Sequence, residues 1–245
     1  MSGKTNKVVV ITGGSSGIGK AFAKAYNAKG HQVIACGRDQ EKLKKLEVDI
    51  AGVDTFQCDV TDNASLQAFL SYIDQKYPQV DILISNAGRL DRVNFANDDL
   101  SQFDASSQIN LNLTSSINVV AAFLPQLKKA AQGNIVLVSS GFGLSPAGYA
   151  PLYSAAKAGI HSFAKALRYQ LKDAGIAVTE VIPPLVDTPA TAQRTEAKVS
   201  AESVVTETLK AIAKGKPEAL VGQTKFLPTI MRLVPRTAEK LVFSS

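Results

Sequence analysis

Apolar residues fall along this chain in short unbroken runs, separated by longer stretches in which they recur every three or four positions. Val8-Val9-Val10-Ile11 and Ile135-Val136-Leu137-Val138 are such runs. An apolar run without polar alternation marks a strand covered on both faces, as in a parallel sheet. Strands are predicted at 7–12, 32–36, 55–58, 81–85, 134–139, 176–182 and 219–221. Helices are predicted between them at 17–29, 40–49, 63–76, 102–131, 152–174 and 201–214. Strict alternation of strand and helix implies an α/β fold: a doubly wound parallel sheet of about seven strands, with helices on both faces and right-handed crossovers.

Composition narrows the picture only slightly. The 245 residues suit one domain spanning 1–245, and 45% hydrophobic with 20% charged residues is ordinary for a globular protein. Lys and Arg number 27 against 21 Asp and Glu, a formal charge of +6. That excess suits an anionic ligand, but equally a solvated basic surface. The basic residues are scattered rather than striped, which argues against nucleic acid. Cys36 and Cys58 end predicted strands, where they act as small buried hydrophobes rather than a bridge. With only two histidines, all four residues far apart, no metal-ligand spacing exists. The run 8–11 is too short for a membrane span or a signal-peptide core, so the expected location is cytoplasmic.

The first strand runs directly into Thr12-Gly13-Gly14-Ser15-Ser16-Gly17-Ile18-Gly19. Glycines between a strand and a helix let backbone approach a pyrophosphate, and the helix start offers it free N–H groups. Cofactor contacts are therefore expected from Gly13, Ser15, Ser16, Gly17, Ile18 and Gly19. After the second strand come Gly37, Arg38 and Asp39. An acidic residue at that strand end binds the ribose 2′-hydroxyl of NAD, whereas arginine accommodates the 2′-phosphate of NADP. Arg38 carries a permanent charge and a fork of donors, so NADP(H) is the expected cofactor, with Ser15 adding a hydroxyl. The competing reading has Asp39 reach the ribose. Asp59 and Val60 follow the third strand. Asp59 is placed to accept from the adenine amino group, while Asp62 better suits the N-cap of the next helix.

Tyr153 and Lys157 stand four residues apart, on one face of a predicted helix. A free tyrosine has a pKa of about 10, and a nearby ammonium favours the phenolate and draws that value towards neutral pH. Ser139 and Ser140 end the fifth strand, at the carboxyl edge of the sheet where such folds bind ligands.

With these motifs in this order, the chain resembles the single-domain short-chain dehydrogenase/reductases, of Rossmann type, over nearly its full length. The matching segments are the glycine turn at 12–19, Asn86-Ala87-Gly88, the serine, and Tyr153-x-x-x-Lys157. The resemblance implies a cofactor-binding half over about 1–130, a catalytic half over 131–222 and a C-terminal tail over 223–245. It implies NADPH-dependent hydride transfer to or from a ketone, aldehyde or secondary alcohol, with Tyr153 protonating the oxygen and Lys157 holding the ribose. The family's serine lies thirteen residues before its tyrosine, which selects Ser140 over Ser139. Its asparagine is either Asn110, counted from Phe103, or Asn112, counted back from Pro125; Asn112 is the one assigned. Asn86, Ala87 and Gly88 fall on the adenosine side, and Pro183, Val186 and Thr188 near the carboxamide. Two departures stand out: Ser85 replaces an asparagine, and Pro184 replaces a glycine and stiffens the turn. His161 is expected to be a packed or interface residue. The family implies a homodimer or homotetramer. The tail after Phe226, which includes Arg236 and Lys240, caps the domain, packs in a dimer, or touches a membrane surface or acyl chain. The alternative function is a dinucleotide-binding regulator or redox sensor with little turnover.

Overall fold

The computed structural model describes residues 6–234. Seven parallel strands form one sheet: β1 (Val8–Thr12), β2 (Gln32–Gly37), β3 (Val53–Gln57), β4 (Ile82–Ser85), β5 (Gly133–Val138), β6 (Ile176–Ile182) and a short edge strand, β9 (Glu218–Leu220). Their order is β3-β2-β1-β4-β5-β6-β9. The chain builds outward from β1 to β3, then returns to lay β4 against the other side of β1. A crevice opens where the direction reverses, beyond the carboxyl ends of β1 and β4.

The unbroken apolar runs follow from coverage on both faces. Val9 and Ile11 of β1 pack with Phe22, Leu46 and Val204, carried by α1 (Gly17–Asn27), α2 (Gln40–Asp49) and α7 (Ala201–Ala213). Val8 and Val10 pack the opposite way, with Phe69, Phe123 and Ile160. Those residues come from α3 (Asn63–Lys76), α5 (Ser115–Leu127) and α6 (Pro151–Leu171). Aspartates start the helices as local chemistry requires. Asp39 accepts from the Lys42 N–H at 3.1 Å, and Asp62 from the Ser65 N–H at 2.9 Å, each satisfying an otherwise orphan donor.

The fold class is as the sequence predicts, and three segments differ in detail. The helix predicted over 102–131 is three pieces: α4 (Ala105–Ile109), a π-helical turn (Asn110–Thr114) and α5. Asp104 caps it late, accepting from the Ser106 N–H. Pro125 does not end α5 but lies within its last turn. Second, the sixth strand leads into a parallel two-stranded ribbon, β7 (Val186–Asp187) with β8 (Val199–Ser200), which no periodicity announced. Third, the tail contains a short α8 (Leu227–Leu233) with exposed Phe226 and Leu233. Arg236, Lys240 and the rest of the tail lie outside the described residues. Among the described residues, no helix is long and apolar enough to cross a membrane.

Phe123 is fully buried and meets Phe69 edge-on at 5.6 Å. Phe123→Ala is expected to lower unfolding stability by about 3–5 kcal/mol, measured as a shifted urea midpoint with unchanged slope.

Candidate active site

The glycine turn is built on close approach. Gly13 has φ +62 and Gly17 φ +51, a region that side-chain-bearing residues rarely enter. A Cβ on Gly13 would stand 3.0 Å from Ala87 Cα, and one on Gly19 would stand 2.2 Å from the Gly13 carbonyl oxygen. Gly14, which the motif leaves variable, is equally constrained: its Cβ would lie 2.6 Å from that of Ala35. Asn86 locks the turn in place. Its amide donates to the carbonyls of Thr12 and Gly13, each at 3.1 Å. The Thr12 hydroxyl accepts in return from the N–H groups of Asn86 and Ala87. Asn86 therefore acts on protein backbone, joining the ends of β1 and β4, although the motif placed it on the adenosine side. Ser15 is partly buried, and the Arg38 side chain is exposed. A Cβ on Gly37 would meet Ser15 Oγ at 3.3 Å. Ser16 starts α1 with its side chain exposed and not engaged in capping, and Ile18 packs at the rim of the core.

Arg38 has only a loose partner, Asp59 at 4.0 Å. Asp39 is occupied elsewhere, capping α2 and pairing with Lys42 at 2.8 Å. Burial opposes ionisation of Asp59, but the Thr61 hydroxyl and N–H, together with Arg38, hold its carboxyl below the usual range. Val60 is buried behind it. On the far side of the crevice, Thr188 caps a short turn with Thr191, and its methyl group would touch a Cβ on Gly17 at 3.0 Å. Val186 is buried in β7, and the Pro183 carbonyl accepts from the Gly141 N–H at 2.9 Å. The chain thus carries 186–188 back to the glycine turn despite the stiff Pro183-Pro184.

The polar centre lies where α6, β5 and the π-helical turn meet. Asn112 is fully buried in that turn. Its amide donates to the carbonyls of Arg89 and Gln108, and its Oδ1 accepts from the Arg89 N–H at 3.0 Å. A Cβ on Gly88 would stand 2.7 Å from Asn112 Oδ1 and 3.4 Å from Lys157 Nζ. Of the two candidate asparagines, Asn112 is therefore the one beside Gly88 and Lys157; Asn110 lines an outer hollow with Asp104 and Ser107. A π-turn is a frequent device for aiming a side chain into a site.

Lys157 is buried and donates to the Val138 carbonyl at 2.9 Å, with Nζ 5.5 Å from the centre of the Tyr153 ring. Burial lowers its ammonium to about 8, against the upward pull of Glu180. Tyr153 departs from the sequence expectation. Burial pushes its phenol up to about 12, and the hydrogen bond with Ser140 offsets only part of that rise. At neutral pH the phenol is a proton donor. Ser140 faces Tyr153, whereas Ser139 turns inward and donates to Glu180 at 2.6 Å. Glu180 went unnoticed in the sequence, although a lone carboxylate in an apolar strand is the signal that could have found it. His161 is packed against it, Nδ1 to Oε2 at 2.8 Å, and Cys36 and Cys58 are buried free thiols.

Fold and site together define a doubly wound parallel α/β protein in which Ser140, Tyr153 and Lys157 come together beyond the carboxyl ends of the central strands. The sequence profile of the short chain dehydrogenases matches residues 7–199, and the chain belongs to that family of oxidoreductases. The uncharacterized oxidoreductase DltE of Bacillus subtilis is 34% identical over 220 residues, covering 87% of each chain. An uncharacterized oxidoreductase of Staphylococcus epidermidis is 31% identical over 186 residues, 76% of this chain and 80% of that one. Among solved structures, a short chain dehydrogenase from Burkholderia cenocepacia in complex with NADP superposes with a TM-score of 0.84 at 22% identity, covering 98% of both chains. A short-chain dehydrogenase from Sphingobium yanoikuyae in complex with NADPH gives 0.78 at 25% identity, covering 87% of this chain and 86% of that one.

Asn86→Ala removes two hydrogen bonds and leaves the carbonyls of Thr12 and Gly13 short of a donor. It is expected to cost about 2–3 kcal/mol in urea unfolding. A stability equal to wild type would show that Asn86 does not hold the turn.

Proposed function

We propose that the protein is an NADPH-dependent reductase of carbonyl compounds, with Tyr153 as proton donor. The observation that carries this is the grouping of the partly buried Tyr153 with Ser140 and Lys157, whose Nζ lies 5.5 Å from the centre of the Tyr153 ring and faces Gly88 next to the glycine turn. The missing Cβ atoms of Gly13, Gly17 and Gly19 let the turn close tightly against Ala87, Thr188 and its own backbone, and α1, which starts at Gly17, would present its N–H groups to a pyrophosphate. Arg38 and Ser15 would hold a 2′-phosphate, and Lys157 the nicotinamide ribose. Asp59 with Val60 would flank the adenine, and Val186 with Thr188 the carboxamide. The nicotinamide supplies the hydride when bound. Ser140 orients the carbonyl oxygen, Tyr153 gives it a proton, and Asn112 fixes the backbone of Arg89 next to Lys157.

The substrate side also has a chemical character. Phe142 meets Tyr153 at 6.5 Å and Tyr149 at 6.0 Å, both edge-on, forming an aromatic path away from the proton donor. The guanidinium groups of Arg92 and Arg194 lie 4.7 and 4.8 Å from the centre of Tyr149. Arg194 is paired with Glu196, while Arg92 is exposed beside a cavity of about 480 Å³ and has no carboxylate partner among the described residues. A carbonyl compound with an apolar body and an anionic end fits this path.

Fluorescence titration is expected to show NADPH binding at least tenfold tighter than NADH, and Arg38→Asp is expected to remove that preference. Tyr153→Phe is expected to keep NADPH affinity and lose carbonyl reduction by about 1000-fold or more. Binding of neither nucleotide would sink the assignment.

In the pH profile, reductive kcat/KM is expected to fall as pH rises through about 8, where Lys157 loses its charge. A profile still level at pH 9.5 would contradict that role for Lys157. For the substrate, ω-oxo carboxylic acids should be reduced with roughly tenfold higher kcat/KM than their methyl esters, with the gap closing in Arg92→Gln. Equal rates for acids and esters in the wild type would remove the anionic end from the proposal.

A further inference from the structure

Glu180 is a charged residue in the middle of β6, in a strand whose other central members, Val178, Val181 and Ile182, are core residues. Its side chain is 1% exposed. An unpaired carboxylate at such a depth would be heavily penalised, so its partners show what it is for. Oε1 accepts from Ser139 Oγ at 2.6 Å. Oε2 meets His161 Nδ1 at 2.8 Å, and Arg168 Nη2 lies 3.6 Å away.

These partners are not a random set. Tyr153, Lys157, His161 and Arg168 follow one another along α6 at spacings of four, four and seven, which places them on one stripe of the helix. The stripe runs from the proton donor, through the buried ammonium, to the two groups that grip Glu180. The strand side shows the same continuity. Lys157 donates to the carbonyl of Val138, and the next residue, Ser139, donates to Glu180. Helix and strand thus converge on Glu180 from the same polar centre, at the layer just beneath Lys157.

We infer that Glu180 is a positioning residue for Lys157: a buried counter-charge, fixed by Ser139 and His161, that keeps the Lys157 ammonium charged and in place in the cleft. The groups around the pair support a charge balance. Lys157 is faced by Tyr153 on its own helix, by Asn112 across Gly88, by the Val138 carbonyl of β5, and by Glu180 of β6. Glu180 is faced by Ser139 of β5, by His161 and Arg168 of α6, and by Glu218 of β9 through Arg168, which lies 3.8 Å from Glu218. Two carboxylates against Lys157 and Arg168 leave the layer near neutrality. His161, Glu180 and Glu218 could by spacing hold a metal ion, but the Arg168 guanidinium already lies against both carboxylates and supplies the cation. The negative charge of Glu180 works against the burial that draws Lys157 down to about 8. Removing Glu180 would leave the burial of Lys157 unopposed and draw its ammonium further down.

The consequence for catalysis rests on the proposed reductase function, whereas the electrostatic relation does not and is testable alone. Protein carrying lysine labelled with carbon-13 at Cε gives the Lys157 titration directly by NMR, with the resonance assigned by its loss in Lys157→Met. Glu180→Gln keeps the shape and one acceptor but removes the charge, and is expected to lower the Lys157 midpoint by roughly one pH unit. Glu180→Asp, which restores the charge, is expected to bring it back towards the wild-type value. Arg168→Gln removes a cation that offsets Glu180 from the far side and is expected to raise the midpoint. This variant, on a partly exposed side chain, decides the matter alone if Glu180→Gln does not fold. The alkaline limb of NADPH binding, followed by fluorescence, should move with each midpoint. An unmoved midpoint in folded Glu180→Gln, or a lowered one in Arg168→Gln, overturns the inference. Midpoints that move as expected in a protein that binds no NADPH would uphold this relation and overturn the reductase function instead.

Discussion

The molecule depends on one close approach: the end of β1 meets the end of β4, joined by the side chains of Thr12 and Asn86. Gly13 and Gly19 leave no Cβ there, and four hydrogen bonds cross it: the Asn86 amide donates to the Thr12 and Gly13 carbonyls, and the N–H groups of Asn86 and Ala87 donate to the Thr12 hydroxyl. This contact sets the crevice at the switch point of the sheet. It aims the start of α1 into the crevice, and it brings Gly88 to where Asn112 and Lys157 crowd it. Any side chain at Gly19 would force the turn open, and the nucleotide cradle and the polar centre would separate together.

A second constraint is burial of charge. Burial moves the two central groups in opposite directions, Tyr153 up to about 12 and Lys157 down to about 8. Both shifts favour neutral forms, as desolvation must. For Tyr153 the neutral form is the proton donor that carbonyl reduction requires. For Lys157 it is the form that cannot hold ribose hydroxyls as a cation. Glu180 opposes the second shift without touching the first, which gives a physical reason for an acid inside an otherwise apolar strand. The same logic separates the adjacent serines. Ser140 serves the phenol, and Ser139, one residue earlier just beyond the end of β5, serves Glu180.

Much of this was legible beforehand. The unbroken run Val8–Ile11 identified a strand covered on both faces because each face requires its own apolar residues, and alternate members of β1 enter separate cores. The glycine turn was legible because only absent side chains allow such approach. Tyr153 and Lys157 were legible because helical spacing alone puts them on one face. Less local features were not. The π-turn that aims Asn112 has no periodic signature, and that Asp39 caps α2 was not read from the order of residues, where it stood only as a competing ribose contact.

The sequence by itself determined the sheet, its winding and the list of polar groups at its carboxyl edge, since these follow from periodicity and from where glycines must stand. Only the tertiary structure decided how those groups titrate and which partners they take. Asn86 turns to backbone, and Glu180 reaches the polar centre of Lys157 from the strand that follows the helix carrying that lysine. The reason is physical: a charge responds to its distance from other charges and to the water excluded around it, and neither quantity is written in the order of residues.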